Sequence, residues 1–263
     1  PEHPFHWFYR EWIEKAEEKN CLYLHFTMRD NPSLTPEIRQ RYEGLYSGSC
    51  YRRFVLGEWC APSGAVYPMF SAERHVAKEL PPGLTDWYLS CDYGTVNPCS
   101  IGLWGYCPAE GVWYRAAEYY HDSRREGVQK TDEEYYAALC RLAGDRPIRG
   151  ITVDPSAASF MECIRRHGVY PVIPAKNDVL DGIRRVSDLL QSGRLRFSAS
   201  CRDTLREFSQ YCWEENAPED RPRKEFDHAM DEIRYFVSTV LSGHPANRPA
   251  FHAAALPRQP SAK

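Results

Sequence analysis

The chain has 263 residues, with 33 Lys and Arg against 36 Asp and Glu, and a formal charge of −3 at pH 7. Hydrophobic residues supply 43% and aromatics 13%, enough for a packed core, and no apolar run nears the ~18–20 residues of a bilayer-spanning helix. Together with a start (Pro1-Glu2-His3) that lacks a signal-peptide pattern, this argues against a membrane protein, a secreted precursor and a disordered chain. Because the first residue is not Met, a piece of something longer is expected. The near-neutral charge means that any contact with nucleic acid must be local rather than a broad basic stripe. Ten cysteines spread along the chain without a CxxC pair fit reduced thiols in a cytosolic protein better than a disulfide framework or a zinc ribbon.

In chain order, the aromatic stretch Phe5 to Ile13 leads into charged helix formers from Glu11 to Lys19. Leu22 to Thr27 reads as a short strand, Asp30-Asn31-Pro32-Ser33 as a turn, and Thr35-Pro36-Glu37 as a helix start. That helix is expected to reach Tyr46, with a second piece from Tyr51 to Leu56. Strands are predicted over Trp87 to Asp92, Ser100 to Tyr106 and Val112 to Tyr120, the last two joined by the turn-rich Pro108 to Gly111. Asp132 to Leu142 carries Tyr135, Tyr136, Leu139 and Leu142 at helical spacing. Ile148 to Val153 is a fourth strand, Pro155 to Arg166 a helix and Val169 to Ile173 a fifth strand. Helices follow over Asp178 to Leu190, Cys201 to Trp213 and Phe226 to Leu241. A strand meander followed by alternating units predicts an α/β fold, a mixed sheet with helices on both faces. After Gly243 the chain is rich in Pro, Ala and Arg without periodicity, and 244–263 is expected to be a disordered tail.

Three acidic positions stand out by placement. Asp92 ends the first strand of the meander, Asp154 follows the fourth strand, and Asp231 lies inside the final helix, past its expected first turn, where Asp is intrinsically unfavourable. Paired strand ends bring two carboxylates to one sheet edge, and a helix crossing that edge can add a third. Such a cluster repels itself unless cations neutralise it, which suits Mg²⁺ or Mn²⁺. The plainer reading is a turn former or helix cap at each Asp. In the final helix Asp227 and Asp231 share a face, His228 lies one turn before Asp231, and the stripe Phe226, Met230, Ile233, Phe236/Val237, Val240 packs the other side. A macrodipole-favoured Asp at the helix start explains Asp227, the weaker candidate, but explains Asp231 poorly.

At these residues the chain resembles the large terminase subunit of tailed double-stranded DNA phages. The likeness rests on Tyr51 to Trp59 with Gly64-Ala65-Val66-Tyr67, on Cys91-Asp92-Tyr93-Gly94 with Asn97-Pro98, on Ala175-Lys176-Asn177-Asp178 with Gly182-Ile183-Arg184, and on Lys224 with Asp227 to Tyr235. Phe226 departs from it, standing where relatives often have a polar residue. The resemblance implies a ribonuclease H-like fold, with residues 1–60 as the end of a preceding ATPase module plus linker and 61–243 as the nuclease domain. It also implies a metal-dependent endonuclease that cuts concatemeric double-stranded DNA by two-metal-ion phosphodiester hydrolysis. Carried over, the ligands are Asp92, Asp154 and Asp231 around two Mg²⁺ or Mn²⁺ ions, with His228 as an additional catalytic and metal-site residue.

No GxxxxGK[ST] loop is present, so this chain is not expected to hydrolyse ATP; the ATPase module would precede Pro1. Among several basic clusters, Lys176, Arg184, Arg185 and Lys224 fall in the matched segments and are the expected DNA contacts, made to the backbone rather than to bases. The implied partners are double-stranded DNA, the portal protein, a small terminase subunit and the ATPase module, in the cytoplasm of a host cell, with no membrane. Two alternatives stay open: another ribonuclease H-like nuclease (transposase, integrase or junction resolvase), or a non-catalytic portal-docking module.

Overall fold

The computed structural model describes residues 7–45, 52, 55–59, 64–214 and 221–242. Its centre is a seven-stranded mixed sheet: β1 (Val76–Ala77), β2 (Thr85–Asp92), β3 (Cys99–Cys107), β4 (Val112–His121), β5 (Ile148–Val153), β6 (Val172–Pro174) and β7 (Leu195–Ser198), in the order β1-β7-β4-β3-β2-β5-β6. The meander β2-β3-β4 is antiparallel; β5 and β6 extend it in parallel on one side, β7 and β1 on the other. The helices are α1 (Pro36–Leu45), α2 (Ala72–His75), α3 (Ser123–Glu126), α4 (Asp132–Ala143), α5 (Ala158–His167), α6 (Val179–Gln191), α7 (Arg202–Phe208) and α8 (His228–Phe236). The expected mixed sheet with helices on both faces is what forms.

Strand alternation sorts the two faces. Leu89, Cys91, Ile101, Leu103, Ile151 and Val153 pack against Tyr135 and Leu139 of α4 and Phe160 and Ile164 of α5. The opposite face holds Trp104, Trp113 and Phe197 under Val186 and Leu190 of α6, Leu205 of α7 and Ile233 and Phe236 of α8. Trp104 lies stacked on Phe236, centroids 4.2 Å apart at 8°. Both cores are continuous with regular elements, so the site residues at the strand ends stand on a rigid base.

The register between β2 and α8 positions the site. Tyr88, Ser90 and Asp92 share the face toward α8. Tyr88 meets Phe236, the Ser90 hydroxyl donates to Glu232, and Asp92 meets His228. Two strand residues advance ~6.7 Å and four helix residues ~6 Å, so each step of two on β2 matches a turn of α8. Gly102 of β3 permits this closeness, since a Cβ there would collide with the Glu232 carboxylate and the Arg115 guanidinium.

Several sequence expectations are corrected. Leu22 to Thr27 forms no strand; Leu22 is 84% exposed, and among the described residues no strand pairs with the run. The first segment is π-helical only over Tyr9–Ile13 and turns through Asn20. The helix expected over Cys201 to Trp213 stops at Phe208, because Cys212 and Trp213 bridge to Ala65 and Pro222 instead. No local signal marks β7 or the two-residue β1: Leu195–Ser198 is short, and parallel pairing with β4 on one side and β1 on the other makes it a strand. The fifth predicted strand shrinks to Val172–Pro174 and the preceding helix begins at Ala158. The final helix starts at His228, because Phe226 adopts a left-handed φ of 55° and Asp227 occupies the N-cap. Phe226 is thus 44% exposed instead of joining the apolar stripe, and Asp231 lies in the first turn rather than beyond it. The segments 46–51 and 60–63 and the tail 244–263 lie outside the described residues. The described cysteines are free thiols, as expected.

Candidate active site

Asp92, Asp154, Asp227, His228 and Asp231 line one cleft at the carboxyl ends of β2 and β5. Asp92 projects from the last residue of β2 and accepts a 2.9 Å hydrogen bond from His228 Nδ1. Asp154 follows β5, where Pro155 and the turn to Ala157 keep it out of α5. Its Oδ1 accepts from the Ser156 amide at 2.8 Å and its Oδ2 from the Tyr235 hydroxyl at 2.6 Å. Asp231 is held by Arg234 one turn on, Nη2 to Oδ1 at 2.9 Å, while that guanidinium also donates to the Asn177 carbonyl at 2.7 Å. Lys224 Nζ stands 3.6 Å from both Asp227 Oδ2 and Asp231 Oδ2.

The electrostatics follow from burial and crowding. Burial and the Asp231 charge push Asp92 up to about 6 despite the opposing hydrogen bond from His228. Asp227 is raised by burial and by Asp231 against the pull of His228. Burial also acts on Asp154, but donation from Tyr235 and Ser156 outweighs it and holds that carboxyl below the usual range. Burial works against the charged form of His228, yet the bond and charge of Asp92, with Asp227 and Glu207, raise it. The cluster therefore carries excess negative charge over the local cations. An all-oxygen carboxylate set with one imidazole suits hard or borderline divalent ions. Asp92, Asp154 and Asp231 do not have oxygens all within 4.8 Å of one another.

Glu207 is a residue sequence reasoning missed. It is fully buried on α7 and accepts from the Ala229 amide and the Tyr120 hydroxyl, both at 2.6 Å. It thereby satisfies a first-turn amide of α8 that Asp227, which makes no side-chain cap, leaves unpaired. Burial raises Glu207 from 4.5 to about 7. Between those values the unfolded carboxyl ionises while the folded one keeps its proton, so stability falls as pH rises through the window. His228 acts in the same direction, its contribution present at low pH and lost as pH rises through its elevated value. Glu207→Gln is expected to lose less stability than the parent between pH 5 and pH 7 in urea denaturation; equal losses would contradict the assignment.

Of the expected DNA contacts, only Lys224 lines the cleft. Lys176 bonds Ser242, with its amide on Thr239, roughly 16 Å along the helix axis from His228. Arg184 and Arg185 lie on α6, and Arg185 pairs with Asp181 at 2.6 Å. The cleft instead carries Arg124 and Arg125 of α3 and Arg206 of α7. Arg124 and Arg125 lie next to each other in the sequence, but their position at the cleft depends on β4 delivering α3 to the edge where β2 ends.

Two family models match this chain. Residues 1–74 match the N-terminal part of the T4-like-virus type of terminase large subunit, and residues 109–239 match the terminase RNaseH-like domain. The chain belongs to the large terminase family. The terminase large subunit of Escherichia phage T5 is 24% identical over 239 residues, which are 85% of this chain and 53% of that protein. This terminase chain thus spans about half the length of that curated relative. Among solved structures, the large terminase of a thermophilic bacteriophage in complex with ADP is 46% identical, with 92% of this chain and 61% of that one covered and a TM-score of 0.66. The P22 large terminase nuclease domain shares the fold at 18% identity, TM-score 0.54, over 67% of this chain and 92% of that one. The ribonuclease H-like architecture of this terminase chain is accordingly as the sequence led us to expect. Among the described residues, no helix is long and apolar enough to cross a membrane.

Proposed function

We propose that this terminase chain is the metal-dependent endonuclease part of a phage DNA-packaging motor, cutting concatemeric double-stranded DNA by phosphodiester hydrolysis. The observation that carries the reading is the meeting of Asp92, Asp154, Asp231 and His228 in one cleft, from elements up to 139 residues apart in sequence. In this reading Asp92, Asp154 and Asp231 hold two Mg²⁺ or Mn²⁺ ions, with His228 and Asp227 beside them. Such ions would neutralise the carboxylates, activate water at neutral pH and stabilise charge on the leaving oxygen. The chain's own groups set the geometry: Tyr235 orients Asp154, Arg234 orients Asp231, and a proton kept on His228 Nδ1 holds one oxygen of Asp92.

Residues 1–60 then belong to the end of the ATPase module and its linker, and 61–243 to the nuclease. Double-stranded DNA, the portal protein, the small terminase subunit and the ATPase module are the partners, in the host cytoplasm. Digestion of supercoiled plasmid by the full chain tests the activity: Mn²⁺ or Mg²⁺ should give nicked and linear products, and chelation should remove them. Inert plasmid with either ion would refute the reading.

Backbone binding by the cleft arginines supplies a separate test. Arg124→Ala with Arg125→Ala is expected to weaken duplex binding and lower the slope of log affinity against log salt by roughly 1 for each phosphate no longer neutralised. Arg184→Ala with Arg185→Ala is the comparison pair. A slope that drops only in the second pair would place the DNA on α6 instead.

A further inference from the structure

Away from the cleft, Glu133, Cys163 and His167 are the one trio of described His, Cys, Asp and Glu side chains whose ligand atoms all lie within 4.8 Å of one another. Glu133 belongs to α4, while Cys163 and His167 stand one turn apart on the same face of α5. The Glu133 carboxylate already bridges the other two, accepting from Cys163 Sγ at 3.5 Å and meeting His167 Nε2 at 2.9 Å. The imidazole is held by a stack on Tyr136, centroids 3.8 Å apart and planes 6° from parallel, which aims Nε2 at the carboxylate.

We propose that Glu133, Cys163 and His167 form a zinc-binding site that clips α4 to α5. A thiolate, an imidazole and a carboxylate are a borderline-soft donor set, suited to Zn²⁺ and poorly suited to Mg²⁺. Tetrahedral zinc with ~2.3 Å to sulfur and ~2.1 Å to nitrogen or oxygen places neighbouring ligand atoms ~3.5 Å apart. Here sulfur lies 3.5 Å from one Glu133 oxygen, the imidazole nitrogen 2.9 Å from the other, and one ligand atom from each residue falls within a 4.8 Å group. Binding releases the Cys163 thiol proton to solvent, takes His167 as neutral imidazole, and leaves a fourth position for water. The clip would bear on the nuclease site from behind. Tyr93, next to Asp92, donates to Asp132 at the start of α4 and stacks on Phe160 of α5 with centroids 4.9 Å apart.

Cobalt titration of the full chain separates this site from the acidic cleft, which has no thiol. The parent is expected to develop a near-ultraviolet thiolate-to-cobalt charge-transfer band that saturates at one ion and is displaced by zinc. Asp92→Asn should keep the band and Cys163→Ser should lose it. His167→Gln should weaken cobalt binding by at least ~10-fold, since even outer partners of a metal ligand cost 10–100-fold. Zinc should raise the thermal midpoint of the parent by more than that of Cys163→Ser, in which only the acidic cleft remains to bind it. Absence of the band in the parent, or a band that survives Cys163→Ser, would overturn the assignment. Because the band does not depend on cleavage, its result stands whether or not the chain nicks plasmid.

Discussion

Asp92→Asn is expected to lower Mn²⁺-dependent nicking of supercoiled plasmid by at least ~10²-fold while the chain stays folded. Several kcal/mol of charge stabilisation come from a bound divalent ion, and each ~1.4 kcal/mol is a factor of ten in rate. The substitution keeps size and a hydrogen-bonding partner for His228 Nδ1 but removes the carboxylate at the end of β2. Without added ions it should not destabilise the fold. Asp92 is pushed up to about 6 by burial and by Asp231, so its ionised form is held at a cost near neutral pH. The parent should therefore gain thermal stability from Mn²⁺ and the variant should gain less. Parent-like nicking by Asp92→Asn, with the fold retained, would remove the endonuclease proposal.

The second large effect is on stability. Glu232→Ala is expected to cost about 3–5 kcal/mol in urea denaturation, the usual penalty for stranding one member of a buried ion pair. Glu232 and Arg115 are both fully buried, 2.7 Å apart, and Glu232 also accepts from Trp104 Nε1 at 2.8 Å and from the Ser90 hydroxyl. Glu118 stays paired with Arg115 at 2.7 Å and with Thr204 at 2.7 Å, so part of the cation's charge remains compensated. Glu232→Leu combined with Arg115→Met should recover only part of the loss, because it removes both charges of the pair but leaves Glu118 without its cation and Trp104 Nε1 without its acceptor. A cost below ~1 kcal/mol for Glu232→Ala would mean that α8 is fastened to the sheet mainly by Trp104 and Phe236. Since Asp231 precedes Glu232, loosening this anchor should also lower activity.

Legibility varied with the distance over which the causes act. The β2-β3-β4 meander, α4, β5 and α6 can be read because their period-2 and period-3.6 patterns are local and their ends carry Gly, Pro or Asp. The two strand-end aspartates are visible for the same reason. Asp231 stands out in the sequence as lying past a helix's first turn, yet the left-handed Phe226 puts it inside that turn. Its place in the cleft owes more to the register of α8 on β2 than to its position along the helix. Lys176, Arg184 and Arg185 stand out as part of a matched segment, but α6 carries the arginines away from the cleft lining.

By itself the sequence determined the class of fold, the family likeness and the short list of acidic residues, because alternation, helix periodicity and turn residues act on near neighbours. Only the tertiary structure decided that β7 is a strand, that Glu207 caps α8, that Glu232 meets Arg115 through the space left by Gly102, and that Arg124 and Arg125 border the cleft. Each of those depends on pairing or burial between segments far apart in the chain. A residue's charge and polarity are written in the sequence, but the partner that offsets their burial is chosen by the packing.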